Sequence, residues 1–330
     1  MKSAIRSLLG GLLIQGALLG LFGAVHAQAP YPSRTITLLV PYAPGGFIDV
    51  ATRVLATGLQ NKLGQTVVVI NKAGGNGKVA LGELIRGQPD GYTFLTNNDG
   101  GISIPPAADP QFTFNYALDY VGVSQIVIGR YAVIVRSGLP VSSMKELVEY
   151  ARANPGKLTY ASPGLGTIAQ FAMELLQRQT NISSLLHVPY SGAANALRGI
   201  LTGEVDILVT AVSSLVSFNA NDKFKILSVL ADERDPTFPD VPTLAEAGFT
   251  PIPIGGWIGV FASSGVPAPI LARFSDAVRE VLNDPPIIEH FKLIGAQVAF
   301  KDANTFAGFY RSEVGKWKDL VERYKIKLYN

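Results

Sequence analysis

Two stretches of this chain combine residue types and spacing that could hold an anion. In the first, the apolar run Thr35 to Pro41 enters Tyr42-Ala43-Pro44-Gly45-Gly46-Phe47-Ile48-Asp49. In the second, Leu158 to Ala161 enters Ser162-Pro163-Gly164-Leu165-Gly166-Thr167. Each reads as a strand, a Pro-Gly turn that lets something approach the backbone, and the start of a helix. A helix N-terminus offers N–H groups without intrahelical partners and the positive end of the helix dipole. Two of them aimed into one crevice would bind a carboxylate without an arginine. Singly, such turns join strand to helix in any α/β fold; their duplication, 120 residues apart, is what points to binding. Ser162 and Thr167 are placed to donate to the anion directly. Asp49 has two readings: the N-cap of the next helix, or an inward carboxylate holding water or a donor group of the ligand.

Other chemistry is sparse. The chain has no cysteine, which removes disulfides, thiolate nucleophiles, iron–sulfur clusters and cysteine-ligated zinc. Of its three histidines, His26 lies in the leader, while His187 and His290 sit among apolar residues and read as packed or partly exposed. A His-rich metal site is therefore not expected, and no acid–base pair can be nominated for catalysis. Walker P-loop, G-x-S-x-G and H-E-x-x-H patterns do not occur. Gly75-Asn76-Gly77-Lys78-Val79-Ala80 fits the dinucleotide fingerprint G-x-G-x-x-A after a strand. The helix after it is short, and the acid about 20 residues on falls in the Pro89-Asp90-Gly91 turn rather than at a strand end. No cofactor is expected.

The elements that must position these residues alternate along the chain. β-branched runs predict strands at 35–41, 66–70, 92–96 and 120–128, with helices at 49–64 and 79–86 between them. A second series starts near Tyr131: a strand to Val135, a helix opened by the capping box Ser143-x-x-Glu146, strand 158–161, helix 167–179, strand 185–188, helix 193–201, and strands 205–210 and 224–230. A proline-rich stretch, 235–253, reads as irregular; Gly255-Gly256 then precedes strand 257–261. Three helical segments close the chain, at 267–283, 285–294 and 304–324, the last with a core-facing aromatic stripe. The pattern predicts an α/β protein of two doubly wound units. Trp257, where the chain crosses back between units, reads equally as a cleft wall or as core.

Composition bounds the partners. With 48% hydrophobic and 16% charged residues over 330 positions, the chain can bury one large core or two modest ones, and disorder is excluded as its main state. Lys and Arg number 28 against 25 Asp and Glu, a net charge of +3. Lys2 and Arg6 precede an apolar run, Leu8 to Val25, that ends Val25-His26-Ala27, the pattern of a secretory signal cut near Ala27. The remaining chain would carry +1, since residues 1–27 hold no acid. That balance gives no electrostatic case for nucleic acid or an anionic membrane. A soluble, exported, monomeric protein is expected.

These residues carry a resemblance. The chain from about residue 30 onward resembles Bug-type substrate-binding proteins of tripartite tricarboxylate transporters. The marks are Tyr31-Pro32-Ser33-Arg34, Pro44-Gly45-Gly46-x-x-Asp49-x-x-x-Arg53, Asn71-Lys72-x-Gly74-Gly75-Asn76-Gly77, Pro89-Asp90-Gly91-Tyr92-Thr93, and Ser162-x-Gly164-x-Gly166-Thr167. Further marks are Val188-Pro189-Tyr190-Ser191-Gly192, Gly203-Glu204-Val205-Asp206 and Pro239-Asp240-Val241-Pro242-Thr243-Leu244-Ala245-Glu246-Ala247-Gly248. The resemblance implies a periplasmic, two-domain, type II-like Venus flytrap. Its domains would be residues 28–128 plus 254–330 and residues 129–253, with a small carboxylate held in the cleft between them and delivered to integral membrane transporter subunits. It makes the Gly74–Gly77 run a turn without nucleotide. The ligand-binding residues expected are Tyr42, Pro44, Gly45, Gly46, Phe47, Ile48, Asp49, Asn98, Ser162, Pro163, Gly164, Gly166, Thr167, Tyr190, Thr210 and Trp257. A sensory protein presenting its ligand to a receptor kinase is the alternative; an exported enzyme is disfavoured.

Departures from the family pattern bear on the ligand. Relatives often have small or polar residues where Phe47 and Ile48 stand, and an acid where the segment after Asp206 ends in Thr210. Losing an acid and gaining apolar side chains argues against citrate or aspartate. A weakly polar mono- or dicarboxylate is expected, aromatic acids included, with Phe47, Tyr190 and Trp257 as walls.

Overall fold

The structure, a computed structural model, describes residues 31–328 apart from 183–184, 217–222, 253 and 255. Contacts divide the chain into Met1–Ser33 and Arg34–Asn330, and the second of these units holds both sheets. The expected leader with its cut near Ala27, and Gly255, lie outside the described residues. Among those described, no helix is long and apolar enough to cross a membrane, and no group of three or more His, Cys, Asp or Glu could hold a metal ion.

Apolar runs form two mixed sheets. The first contains β1 (Ile36–Val40), β2 (Val67–Asn71), β3 (Thr93–Asn98), β4 (Tyr120–Gly129), β10 (Gly256–Ser263) and β11 (Ala296–Lys301), in the order β11-β4-β10-β3-β1-β2. β1 pairs in parallel with β2 and β3, whereas β10 and β11 run antiparallel to β4. The second contains β5 (Tyr131–Arg136), β6 (Thr159–Ser162), β7 (Leu186–Pro189), β8 (Ile207–Ala211) and β9 (Phe224–Leu230), in the order β7-β6-β8-β5-β9. Each sheet thus has a parallel half, where the glycine turns sit, and an antiparallel half through which the chain crosses to the other sheet. One crossing passes from β4 to β5 through Arg130 alone; the other is the stretch between β9 and β10. Arg130 reaches Asp235 at 3.6 Å, tying the two crossings together. β11 was not expected from the sequence.

Helices fill the faces. α1 (Phe47–Leu63) begins two residues before the expected start, is capped by Gly46, and stops at Gly64, whose φ of 64° is left-handed. It buries Ala51, Leu55 and Leu59 completely against the first sheet. α2 (Lys78–Arg86) leads into β3, and two single turns, α3 (Asp99–Ile102) and α4 (Pro105–Ala108), leave it. In the second lobe, α5 (Met144–Ala153) has the expected capping box: the Glu146 N–H donates to Ser143 Oγ, and Glu146 accepts from the Ser142 N–H. α6 (Ile168–Thr180) and α7 (Ala193–Thr202) come after glycine turns, and α8 (Ser213–Val216) is a single turn after β8. α9 (Ala268–Leu282) and α10 (Pro285–Leu293) return to the first sheet. The long closing helix, α11 (Ala303–Tyr324), serves both lobes: Phe306 packs into the first, and Trp317 meets Phe171 of the second edge-on at 4.8 Å.

Candidate functional site

A cavity of about 250 Å³ lies where the two glycine turns face each other. Three helices start at its wall. Gly46, Phe47 and Ile48 bring the first turn of α1, Thr167, Ile168 and Ala169 that of α6, and Gly192 to Asn195 that of α7. The N-caps Gly46, Thr167 and Gly192 make no side-chain capping bond, so first-turn N–H groups are not consumed by their own caps. Three dipole ends therefore converge on one space. No Asp, Glu, Lys, Arg or His stands among the described residues that line it. Its polar side chains include Tyr42, Asn98, Thr210 and Tyr131, set among Phe47, Ile48, Ile168 and Val209. Burial pushes the Tyr131 phenol well above its ordinary range, so it remains a neutral hydrogen-bonding group.

Of the residues expected at the site, Tyr42, Pro44, Gly46, Phe47, Ile48, Asn98, Pro163, Thr167 and Thr210 line this cavity. The others do not, each for a visible reason. Asp49 is neither N-cap nor inward: it occupies the third helical position and is buried behind the turn. Its carboxylate accepts from the Gly45 N–H (2.9 Å), from Arg53 (2.9 and 3.1 Å) and from Asn71 Nδ2 (2.9 Å). Burial pushes this carboxyl up, but these bonds more than offset it and hold it below its ordinary range. Gly45 shapes the turn from outside the cavity lining, with a left-handed φ of 84°.

The second turn is fastened differently. Ser162 is fully buried, and its hydroxyl donates to the Gly164 carbonyl (2.8 Å) and lies 2.7 Å from Nε2 of His187. With its one hydrogen on Gly164, Ser162 accepts from the imidazole. Burial pushes His187 below its ordinary range; its ring stacks on Tyr160 at 4.6 Å. Thr167 lines the cavity, but its hydroxyl also donates to the Gly164 carbonyl, at 2.8 Å. The expectation that both hydroxyls donate to an anion is therefore corrected: their hydrogens hold the turn. Gly164 and Gly166, at φ 146° and 72°, supply the turn's shape and are not in the lining.

Two aromatic expectations are also corrected. Trp257 is 1% exposed, and its Nε1 donates to Glu313 at 3.2 Å. On β10 successive side chains alternate, so Ile258 and Val260 pack toward α1 and α9 while Trp257 goes to the opposite face, against Phe306 and Phe309 of α11. Tyr190 packs on the core beneath α7, its phenol reaching Gly199. Its neighbours Ser191 and Gly192 line the cavity instead.

Sequence reasoning missed three contributors. The start of α7 is one: Pro189-Tyr190-Ser191-Gly192 repeats the strand, turn and helix logic a third time, and that recurrence was the signal. Tyr131, the first residue of β5, had none. Asn76 was dismissed with its glycine run, yet Asn76 Nδ2 donates to the Gly100 carbonyl (2.7 Å) on the first lobe and to the Gly166 carbonyl (2.9 Å) on the second. It bridges α3 of the first lobe to the Ser162–Thr167 turn of the second. The Tyr42 phenol, 3.2 Å from Oδ1 of both Asn76 and Asn98, braces it.

The chain is similar to known proteins over most of its length. The family described as "Tripartite tricarboxylate transporter family receptor" matches residues 51–326. BugT of Bordetella pertussis is 29% identical over 310 residues, 94% of each chain. Among solved structures, MatC from Rhodopseudomonas palustris with bound malate is 29% identical, with a TM-score of 0.82 over 88% of this chain and 100% of that one. An R. palustris protein solved with adipate is 27% identical, with a TM-score of 0.84 over 90% of this chain and 99% of that one.

Proposed function

Because the chain belongs to the tripartite tricarboxylate transporter receptor family, we propose that it is a periplasmic solute-binding protein that captures a small carboxylic acid and delivers it to membrane subunits of such a transporter. Export by the 1–27 leader and a monomeric state belong to this reading. The observation that carries it is the uncharged cavity on which three helix N-termini converge. Backbone amides there provide positive potential and donors at once, and a buried carboxylate needs both.

In this reading the ligand's carboxylate meets the first turns of α1, α6 and α7, and Asn98 and Thr210 orient it. Residues 28–128 with 254–330, and residues 129–253, act as domains that hinge at the two crossings; Asn76 fastens the closed form. Malate and adipate, the acids named for the two R. palustris proteins, set the chemical range. Phe47, Ile48, Ile168 and Val209 in the lining favour a weakly polar mono- or dicarboxylate over citrate.

A thermal-shift screen of the chain beginning after Ala27, against aliphatic and aromatic carboxylates, tests this. A ligand at 100 times its Kd adds about 2.7 kcal/mol of stability. If no carboxylate shifts the transition, the binding reading fails. If citrate shifts it and weakly polar acids do not, the role given to Phe47 and Thr210 fails.

A further inference from the structure

A second chamber, of about 510 Å³, opens beside the first. The two share Gly46, Phe47, Ala193, Ala194 and Ser214 as walls, so they lie side by side. Its outer walls are apolar: Val50 of α1, Leu197 and Leu201 of α7, and Leu293 and Ile294 at the end of α10. The lobes meet closely at its rim, where a Cβ on Gly295 would stand 2.9 Å from Cα of Ser213. Phe47 divides the chambers from a fixed position. Its ring lies over Gly129, where a Cβ would stand 2.8 Å from Cε1, and it packs against the cores of both lobes.

One charge interrupts this apolar surface. Arg198 of α7 is the only Asp, Glu, Lys, Arg or His among the described residues lining either chamber, and it makes no ion pair among the described residues. The inner chamber, at about 250 Å³, is smaller than the ~300–1,000 Å³ usual for small-molecule sites. An acid confined to it would leave the larger space beside it unused. From these observations we propose that the outer chamber receives the distal half of the ligand, and that the ligand is a dicarboxylate with an apolar spacer. One carboxylate lies at the helix ends of the inner chamber, the spacer passes Phe47, and the second carboxylate meets the Arg198 guanidinium.

This rests on the carboxylate-binding reading above, and the test separates the two. Calorimetric titration compares the straight-chain diacids from succinate to sebacate with the monoacids of matching length, butyrate to decanoate, on the wild-type chain and on Arg198→Gln. Longer diacids bind more tightly than succinate, and each long diacid binds about tenfold more tightly than its matched monoacid, the size expected of a charge-assisted pair. Arg198→Gln collapses that diacid preference; Arg198→Lys restores part of it. Arg198 is exposed, and circular dichroism verifies that both variants are folded. Equal binding of long diacids and monoacids to the wild type overturns the proposal, as does a preference that survives Arg198→Gln. Tighter binding of aromatic monoacids than of any diacid overturns it as well. Failure of every acid to bind overturns the carboxylate reading itself, and this one with it.

Discussion

The turn at Tyr42–Asp49 and the turn at Ser162–Thr167 present the same groups to the cavity, yet opposite chemistries hold them in place. The first is fastened from behind by an ionic cluster of Asp49, Arg53 and Asn71. The second is fastened by neutral groups, the Ser162 and Thr167 hydroxyls on Gly164 and the imidazole of His187. In both, the side chains best equipped to bind an anion are spent on the turn, and backbone N–H groups are left for the ligand. Side-chain chemistry here shapes the receptor; it does not form it.

The largest expected effect comes from filling the first turn. Gly46 has an ordinary φ of −77°, and a Cβ there would meet only the Ala43 carbonyl, at 3.7 Å. Gly46→Leu should fold, losing about 1 kcal/mol for a poorer cap, while its side chain enters the cavity and weakens acid binding by more than about 100-fold. Calorimetry with denaturation on the same sample checks both, and unchanged affinity would sink the turn model. Asp49→Ala comes next. It leaves the Gly45 N–H without its acceptor, takes one of two acceptors from Asn71 and unpairs Arg53, so stability should fall by about 2–3 kcal/mol. Urea denaturation measures it, and a loss under about 0.5 kcal/mol would show that the ionic cluster is not what fastens the turn.

The smallest effect separates the two fastenings by pH. His187 has a folded pKa below its ordinary 6.5, so the unfolded chain binds more protons between the two values. Its contribution is complete above 6.5 and is lost as pH falls through the folded value. Asp49, also lowered, from 3.8, contributes above its unfolded value and loses that contribution only at lower pH. Melting temperature followed from pH 7.5 to 5 should therefore decline more steeply in the wild type than in His187→Gln. Parallel curves would remove His187 from the second turn's fastening.

How much of this could be read beforehand depends on distance in sequence. The glycine turns were legible because strand, turn and helix are contiguous and each has a local signature. Most strand ends and the start of α1 shifted by a residue or two, as hydrogen-bonded ends do. Trp257 was misplaced because the glycines before it suggest a cleft, whereas the face it occupies depends on how β10 pairs with β3 and β4. Ser162 and Asp49 were recognised as polar groups at the right turns, but what they bond to is set by His187, Arg53 and Asn71. The bridge from Asn76 to Gly166 spans 90 residues and joins two lobes, so no local pattern announces it.

The absence of an ionisable carboxylate, amine or imidazole from the described lining of the inner cavity has a consequence for how such a receptor works in a compartment of changing acidity. A receptor made of peptide dipoles has no proton to gain or lose at ordinary pH, so its capacity for an anion is constant. The acidity profile of capture is then written by the ligand: binding follows the fraction of the acid that is ionised. Any departure from that curve reports on charges elsewhere in the molecule.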